Sequence, residues 1–405
     1  MTKPFLQLAD DLSRHWESAA AEHDRAGLFP AADMALLRDS GLLGLMVPER
    51  LGGMGAGFED YVCVAMRLAQ GSGASALLFN MHASVTGALA GVPDDVARAL
   101  GVRDSFFDAR DAVLRHAVDG AMYGVAISEP GAGSRLSALQ TTYEREGNGF
   151  RLRGHKSTCS GAGHLDAYLV AARDGAHSRD EGPRISYFLV AGDAIGPVDE
   201  TWDPLGMRAT ASNGFTLDIT VDEGALIGVE GVAVLLADVM PEWLVASYAA
   251  IYAGLAGAAV AAAVAHIEAA QVLEPTDAGE PRTVSPAASA SVRQRVGRAD
   301  ATAEAARLVV EDAARQVDAR PGDPQTKRAV YRAKLIAGDA AFAVAAALTE
   351  ACGLAALTRG AVLERLLRDA RSGAVMPPAS DVAANVLGAA ALGVDPGTAL
   401  GARPW

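Results

Sequence analysis

Apolar residues along the chain change their spacing twice. From residue 1 to about 120 they recur at helical spacing, as in MTKPFLQLADDLSRHWESAA, and turn signals such as VPERLGGMGAG (47–57) interrupt them. Between about 121 and 228 the texture becomes short β-rich runs: MYGVAIS, TTYERE, GFRLRGHKS, AYLVAAR, ISYFLVAG and GFTLDITV. Gly147, Asn148 and Gly149 join two of these runs as a hairpin turn would. From 229 onward alanine-rich helical patterns return, over about 232–273, 288–319, 323–351, 359–373 and 380–392. The piece between the first two, EPTDAGEPRTVSPAAS, reads as an exposed loop. The pattern predicts an α+β chain of three domains: an N-terminal α-helical domain (1–120), a central small β-barrel or sheet domain (121–228) and a C-terminal helical bundle (229–405).

Composition narrows the field. Half of the 405 residues are apolar, as in a folded protein, and a chain of this length buries a large core. A formal net charge of -14 with no long basic run argues against nucleic acid or an anionic membrane as partner. The segment ASYAAIYAGLAGAAVAAAVAHI (246–267) carries no charge for about twenty residues, but alanine and glycine contribute little transfer free energy and suit close helix packing, so it reads as a core helix. The three cysteines lie far apart without a C-x-x-C pair, and the N-terminus lacks the apolar core of a signal peptide; both fit a cytoplasmic protein.

The common nucleotide motifs are missing. There is no G-x-x-x-x-G-K-[ST] and no strand followed by G-x-G-x-x-G; GGMGAG (52–57) has the wrong spacing and reads as a turn. No clustered His/Cys pattern suggests a metal, and the eight histidines are dispersed. The informative stretch is ISEPGAGSRLSALQTTYEREGNGFRLRGHKSTCSGAGHLDAYLVAAR (127–173). Ile127 and Ser128 end a strand, Pro130 stiffens the turn, and Gly131, Ala132 and Gly133 leave the backbone free to face a planar or anionic cofactor.

Read as a whole, this stretch resembles the acyl-CoA dehydrogenase family, with its T-E-P-x-A-G-S-D loop, hairpin and G-x-K-x-x-I-[ST]-N. GLLGLMVPERLGGMG (41–55), LGMRATASNGFTLDITVDEGALIG (205–228) and LERLLRDAR (363–371) are similar to three further blocks of the family in the right order. The resemblance implies an α-helical domain, a β domain and a four-helix bundle, with FAD between the last two and a neighbouring subunit of a homotetramer or homodimer. It places Ile127 and Ser128 at the flavin edge, Gly133 and Ser134 near a pyrophosphate, and Thr158 and Ser160 along the ring's other face and edge, where the family commonly has Trp at the first position. Arg208 matches the G-x-R arginine, as a salt-bridged strand residue or a catalytic one. Glu350 and Gly353 fall where the family's Q-x-x-G-G reaches an FAD held by another subunit, although here the motif reads EACGLA. Arg282 is the candidate arginine for the FAD pyrophosphate across that interface, without the family's R-x-x-F-G. His82, in FNMHASV, sits on the helix lining the acyl cavity in relatives and reads as a packing residue.

The departure that matters most is at the base. The family's Glu in R-D-A-x-x-x-x-x-x-E-G-T, which takes the substrate α-proton and supplies one oxyanion N–H, falls on Pro377, followed by Pro378 and Ala379. Proline has neither a carboxylate nor an N–H. Some relatives carry the base at the start of the long bundle helix; that position falls on Leu244, and Glu242 lies two residues earlier, about 200° around a helix. Glu242 is therefore the candidate base only if the helix begins irregularly after Pro241, and otherwise suits an ordinary helix N-terminus. Asp381 reads as an N-terminal helical residue beside Ser380.

Three readings follow. The first is an FAD-dependent oxidoreductase removing the α-proton and β-hydride of an acyl thioester on CoA or an acyl carrier protein, with a relocated or absent base and an electron acceptor flavoprotein or oxygen as partner. The second is a flavin-dependent monooxygenase or N-hydroxylase of the same fold, towards which S-G followed by D-A-Y in KSTCSGAGHLDAY (156–168) leans, although no histidine follows His266. The third is a non-catalytic family member.

Overall fold

The computed structural model describes residues 3–99, 101–177, 182, 184–233, 240–243, 246–275 and 280–394. Helices come first: α1 (Pro4–Ala26), α2 (Ala31–Asp39), α3 (Phe58–Gly71), α4 (Gly73–Gly91), α5 (Asp94–Ala99) and α6 (Asp104–Val118). In α1 the buried stripe is Ala9, Leu12, Trp16 and Ala20, a spacing of three to four that turns one face inward, and Gly27 ends the helix at φ +65°. Helix α4 is buried on nearly every side. Ser72 caps its N-terminus by accepting the Ser75 N–H.

The sheet begins at Tyr123. Its strands are β1 (Tyr123–Ala126), β2 (Thr142–Glu146), β3 (Gly149–Cys159), β4 (Ala167–Asp174), β5 (Ile185–Ala191), β6 (Val198–Asp199), β7 (Asn213–Asp222) and β8 (Leu226–Ile227), in the order β6-β7-β3-β2-β4-β5-β8 with β1 parallel to β4. Gly147, at φ +57°, and Asn148 turn β2 into β3, with Glu146 opposite Gly149. Against β7, the register of β3 shifts between Lys156 and Cys159. This bulge breaks the alternation of side chains where the sheet meets the helices.

The second helical set is α7 (Ala246–Ala269), α8 (Ala290–Ala319), α9 (Pro324–Cys352), α10 (Val362–Arg371) and α11 (Ser380–Leu392). The uncharged segment forms α7, a core helix. A Cβ at Gly254 would lie 2.4 Å from the Met66 carbonyl oxygen, so glycine is what lets α7 touch the backbone of α3. Gly338 of α9 and Gly373 after α10 meet in the same way, each built Cβ falling 2.7 Å from the other's carbonyl oxygen.

Two expectations from the sequence are revised. The end of the stretch read as helix and the piece read as a loop after it form a two-stranded ribbon, β9 (Val272–Glu274) paired antiparallel with β10 (Arg282–Val284), in which Val272 is paired with Val284 and Glu274 with the oppositely charged Arg282. Within the helical pattern read from near 232, Pro241–Trp243 form a 3₁₀ turn that opens on the proline, and α7 is described from Ala246. Leu244 lies outside the described residues.

Candidate active site

An open cleft of about 780 Å³ lies where the sheet meets both helical sets. The loop after β1, the bulge in β3 and the segment 202–212 form one side. Leu77 and Met81 of α4, Tyr248 of α7, Arg368 and Arg371 of α10 and the turn Ser372–Pro377 form the other. Ile127, Ser128, Gly133, Ser134, Thr158 and Ser160 all line this cleft, so the fold brings together positions up to 33 residues apart in the chain.

The loop is held from beneath by a buried ion pair that the sequence reading did not single out. Lys156 Nζ lies 2.6 Å from Glu129 Oε1, and it also donates to the carbonyl oxygens of Ala171 (2.6 Å) and Ile127 (3.5 Å). The Glu129 carboxylate accepts further bonds from the N–H groups of Gln140 (2.5 Å) and Thr141 (3.1 Å). Burial pushes the Glu129 carboxyl up, but the Lys156 ammonium and these donors outweigh it and hold the group below its ordinary value. Glu129 and Gly133 exchange both backbone hydrogen bonds, which closes the loop, and the Ser128 carbonyl oxygen accepts from the Ser157 N–H at 2.8 Å. The signal that could have revealed the pair was present: an acid in the loop motif and a lysine in the strand motif, each on a segment that must be buried.

Among the described residues, the non-glycine positions with left-handed backbone are Thr158 (φ 55°), Met207 (φ 54°) and Ala211 (φ 44°). Thr158 and Met207 line the cleft, and Ala211 sits between Thr210 and Ser212, which also line it. Strain of this kind concentrates where a particular presentation of side chains is imposed. Here it aims hydroxyls: Ser160 Oγ is 3.0 Å from Ser212 Oγ, which is 2.7 Å from Thr210 Oγ1.

The RDA motif is structural in this chain. Asp369 accepts the Met207 N–H at 2.6 Å, and Arg368 forks onto Asp24 (2.6 and 2.8 Å) and Glu364 (2.7 and 2.9 Å), tying α10 to α1 and to the cleft wall. Arg208 is a clasp as well, donating to the carbonyl oxygens of Asp24 (2.9 Å) and Pro204 (3.1 Å) and to the Asp203 carboxylate (2.5 Å). His82 is buried with both ring nitrogens satisfied by backbone: Nε2 donates to the Leu43 carbonyl oxygen (2.8 Å) and Nδ1 accepts the Tyr123 N–H (3.2 Å). Burial lowers it to about 4, so it is neutral.

The remaining sequence candidates lie elsewhere. Arg282 is on the exposed ribbon, 2.7 Å from Glu274; Glu350 pairs with Arg295 near the end of α9; Gly353 ends that helix at φ +76°. None of these three lines the cleft, and each had been assigned to a neighbouring subunit's cofactor. Glu242 is buried in the 3₁₀ turn, also outside the cleft lining, and burial raises its carboxyl to about 7. Asp381 lies in the first turn of α11, beside Ser380, whose hydroxyl donates to Asp339 at 2.6 Å.

Pro377 does line the cleft. Among the described lining residues the one carboxylate is Glu129, which is fully engaged, and there is no histidine. The other charged or titratable groups are Arg368, held in its fork, Arg371, which stacks 5.0 Å from the Phe342 ring centre, and Tyr248, whose hydroxyl is pushed upward by burial. A second pocket, about 130 Å³ and almost wholly apolar, shares Val125 and Ile127 with the cleft and is bounded by Val85, Ala88, Leu89, Phe106 and Trp243.

A flat ring with a polar edge fits this cleft. Leu77 and Met81 line one side, Ile127 and the hydroxyl-bearing Ser128, Thr158 and Ser160 line the other, and a Cβ built on Gly131 or Gly133 meets nothing within 4 Å, leaving an open end beside Ser134.

Comparison with known proteins accords with the geometry. The acyl-CoA dehydrogenase N-terminal, middle and C-terminal domains match residues 7–93, 124–219 and 246–392. YdbM of Bacillus subtilis (strain 168), whose name assigns it provisionally to the acyl-CoA dehydrogenases, is 29% identical over 398 residues, covering 96% of this chain and 97% of its own. Among solved structures, KijD3 in complex with FMN and dTDP-3-amino-2,3,6-trideoxy-4-keto-3-methyl-D-glucose is 27% identical with a TM-score of 0.81, covering 98% of this chain and 95% of that one. FMN-bound TdsC from Paenibacillus sp. A11-2 shares the fold at 24% identity and a TM-score of 0.83, over 96% of this chain and 98% of its own. Matched by all three domains in order along its length, this chain belongs to the acyl-CoA dehydrogenase family, a family of flavoprotein oxidoreductases.

Proposed function

We propose that this chain binds a flavin in the cleft and monooxygenates an apolar substrate seated in the pocket behind Val125 and Ile127, with reduced flavin as the electron donor and dioxygen as the oxidant, one oxygen atom entering the substrate and the other leaving as water. One observation carries the reading: among the described residues the cleft has no carboxylate free to take a proton, because Glu129 is locked to Lys156 and Pro377 stands at the base position. Flavin, when bound, supplies two-electron redox chemistry and, once reduced, reactivity with oxygen. The chain's own part is to place and to exclude. Ser128, Thr158 and Ser160 provide hydrogen-bonding groups to the ring edge, Ser134 takes the phosphate end, and the apolar walls keep water from the reacting face. The named FMN complexes of KijD3 and TdsC support FMN; FAD requires Arg282, Glu350 and Gly353 to reach a neighbour's cofactor in a homodimer or homotetramer.

A specific observation supports a second reading. Burial brings Glu242 to about 7, in the range of a general base, and although Glu242 lies outside the cleft lining, its neighbour Trp243 bounds the apolar pocket that adjoins the cleft; dehydrogenation of an acyl thioester on CoA or a carrier protein would need such a base. Anaerobic mixing with an acyl-CoA separates the two. The oxygen reading expects the flavin colour to persist, and oxygen uptake to begin only when reduced FMN is supplied. Bleaching by acyl-CoA that Glu242→Gln abolishes would overturn it in favour of dehydrogenation.

A further inference from the structure

The cleft wall carries hydroxyls in series, from Ser160 through Ser212 to Thr210, all of them buried and lining the cleft. At the far end Thr210 Oγ1 donates to the Met207 carbonyl oxygen at 2.9 Å. A hydroxyl has one proton, so that end dictates the rest. With the Thr210 proton on Met207, the 2.7 Å contact requires Ser212 to donate to Thr210, and the 3.0 Å contact requires Ser160 to donate to Ser212. Ser160 then meets the cleft with lone pairs only. The opposite order, Thr210 to Ser212 to Ser160 to the cleft, is self-consistent but forfeits the Thr210–Met207 bond. Met207 would keep only the Thr210 N–H, at 3.1 Å. The resting polarity therefore makes Ser160 an acceptor. Met207 and Ala211, on either side of Thr210, both have left-handed backbone.

We propose that Ser212 and Thr210 are positioning residues that set Ser160 as an acceptor and thereby bias a bound flavin towards its reduced form. The inference rests on the flavin reading above. An oxidised isoalloxazine ring has an unprotonated N5, which can only accept; reduction adds a proton there, which an acceptor at the ring edge favours. An acceptor opposite a ring N–H present in both forms would leave the preference unmoved, so the experiment is decisive on this point.

The test measures the affinity of the protein for oxidised FMN and for dithionite-reduced FMN without oxygen, together with the midpoint potential of the bound FMN. Thr210→Val keeps the shape but removes the terminal hydroxyl, so Ser212 turns its proton to Ser160 and Ser160 donates to the cleft. The preference for reduced FMN should fall about tenfold, a drop of about 30 mV for a two-electron couple. Thr210→Ser should restore it, and Ser212→Ala, which cuts the series, should lower it without abolishing binding. Wild-type protein that binds neither form overturns the flavin reading and the relay with it. Wild-type binding with a ratio unmoved by Thr210→Val and Ser212→Ala overturns the relay alone.

Discussion

Lys156 Nζ lies 2.6 Å from Glu129 Oε1 with both side chains almost wholly buried, so the loop that faces the cleft is pinned by two charges that water does not screen. Desolvation lowers the Lys156 ammonium and Glu129 opposes it, while the carboxylate stays ionised through its three donors. Lys156→Met should cost about 3–5 kcal/mol in urea unfolding, since it strands the carboxylate, and the Glu129→Gln/Lys156→Met pair should recover part of that loss. Because the folded Glu129 value is depressed, its contribution is present above the ordinary carboxyl range and is lost as pH falls through the folded value.

His82 makes a different prediction. Its folded value, about 4, lies below the ordinary 6.5, so the unfolded chain takes up a proton across that interval and the folded protein does not. Stability should climb as pH rises from about 4 to 6.5, by on the order of 3 kcal/mol from this group. His82→Leu should flatten that climb while lowering stability at pH 7, where Leu43 and Tyr123 lose their partner; urea midpoints across the range report both.

Glu242 has the opposite sign. Its folded value is raised to about 7 by burial, so the folded protein holds a proton that the unfolded chain releases, and stability falls as pH rises from about 4.5 to 7. Glu242→Gln should therefore be more stable than wild type at pH 8, by on the order of 3 kcal/mol, and close to it at pH 4.5. Equal melting profiles at pH 8 would show that the carboxyl carries no such penalty.

The small apolar pocket should be separable from the cleft. Ala88 lines the pocket and not the cleft, so Ala88→Phe should fill it and leave FMN affinity intact. Uptake of a small aromatic probe such as indole should drop about tenfold or more, by loss of the buried apolar contact. Fluorescence titration with each ligand measures the two affinities independently.

Much of this molecule is legible in its spacing. Helical periodicity, the Gly147-Asn148 turn and the short β-rich runs marked the helices, hairpin and sheet, because each depends on neighbours within a few residues. The cleft residues Ile127, Ser128, Gly133, Ser134, Thr158 and Ser160, which the tertiary structure brings to one wall, were legible as a set only through the family resemblance, and the bulge in β3 was not. The ribbon β9–β10 was missed, since a strand of three residues leaves little periodic signal and its pairing partner begins eight residues further along the chain.

By itself the sequence determined the order of helices and strands and the absence of a carboxylate at Pro377, both properties of local residue identity. Only the tertiary structure decided that Glu129 is locked to Lys156, that Glu242 lies outside the cleft lining, and that Ser160, Ser212 and Thr210 form one chain of hydroxyls. Those relations join residues 27 or more apart, or turn on which way a buried side chain points, and that direction is set by packing and backbone strain rather than by spacing along the chain.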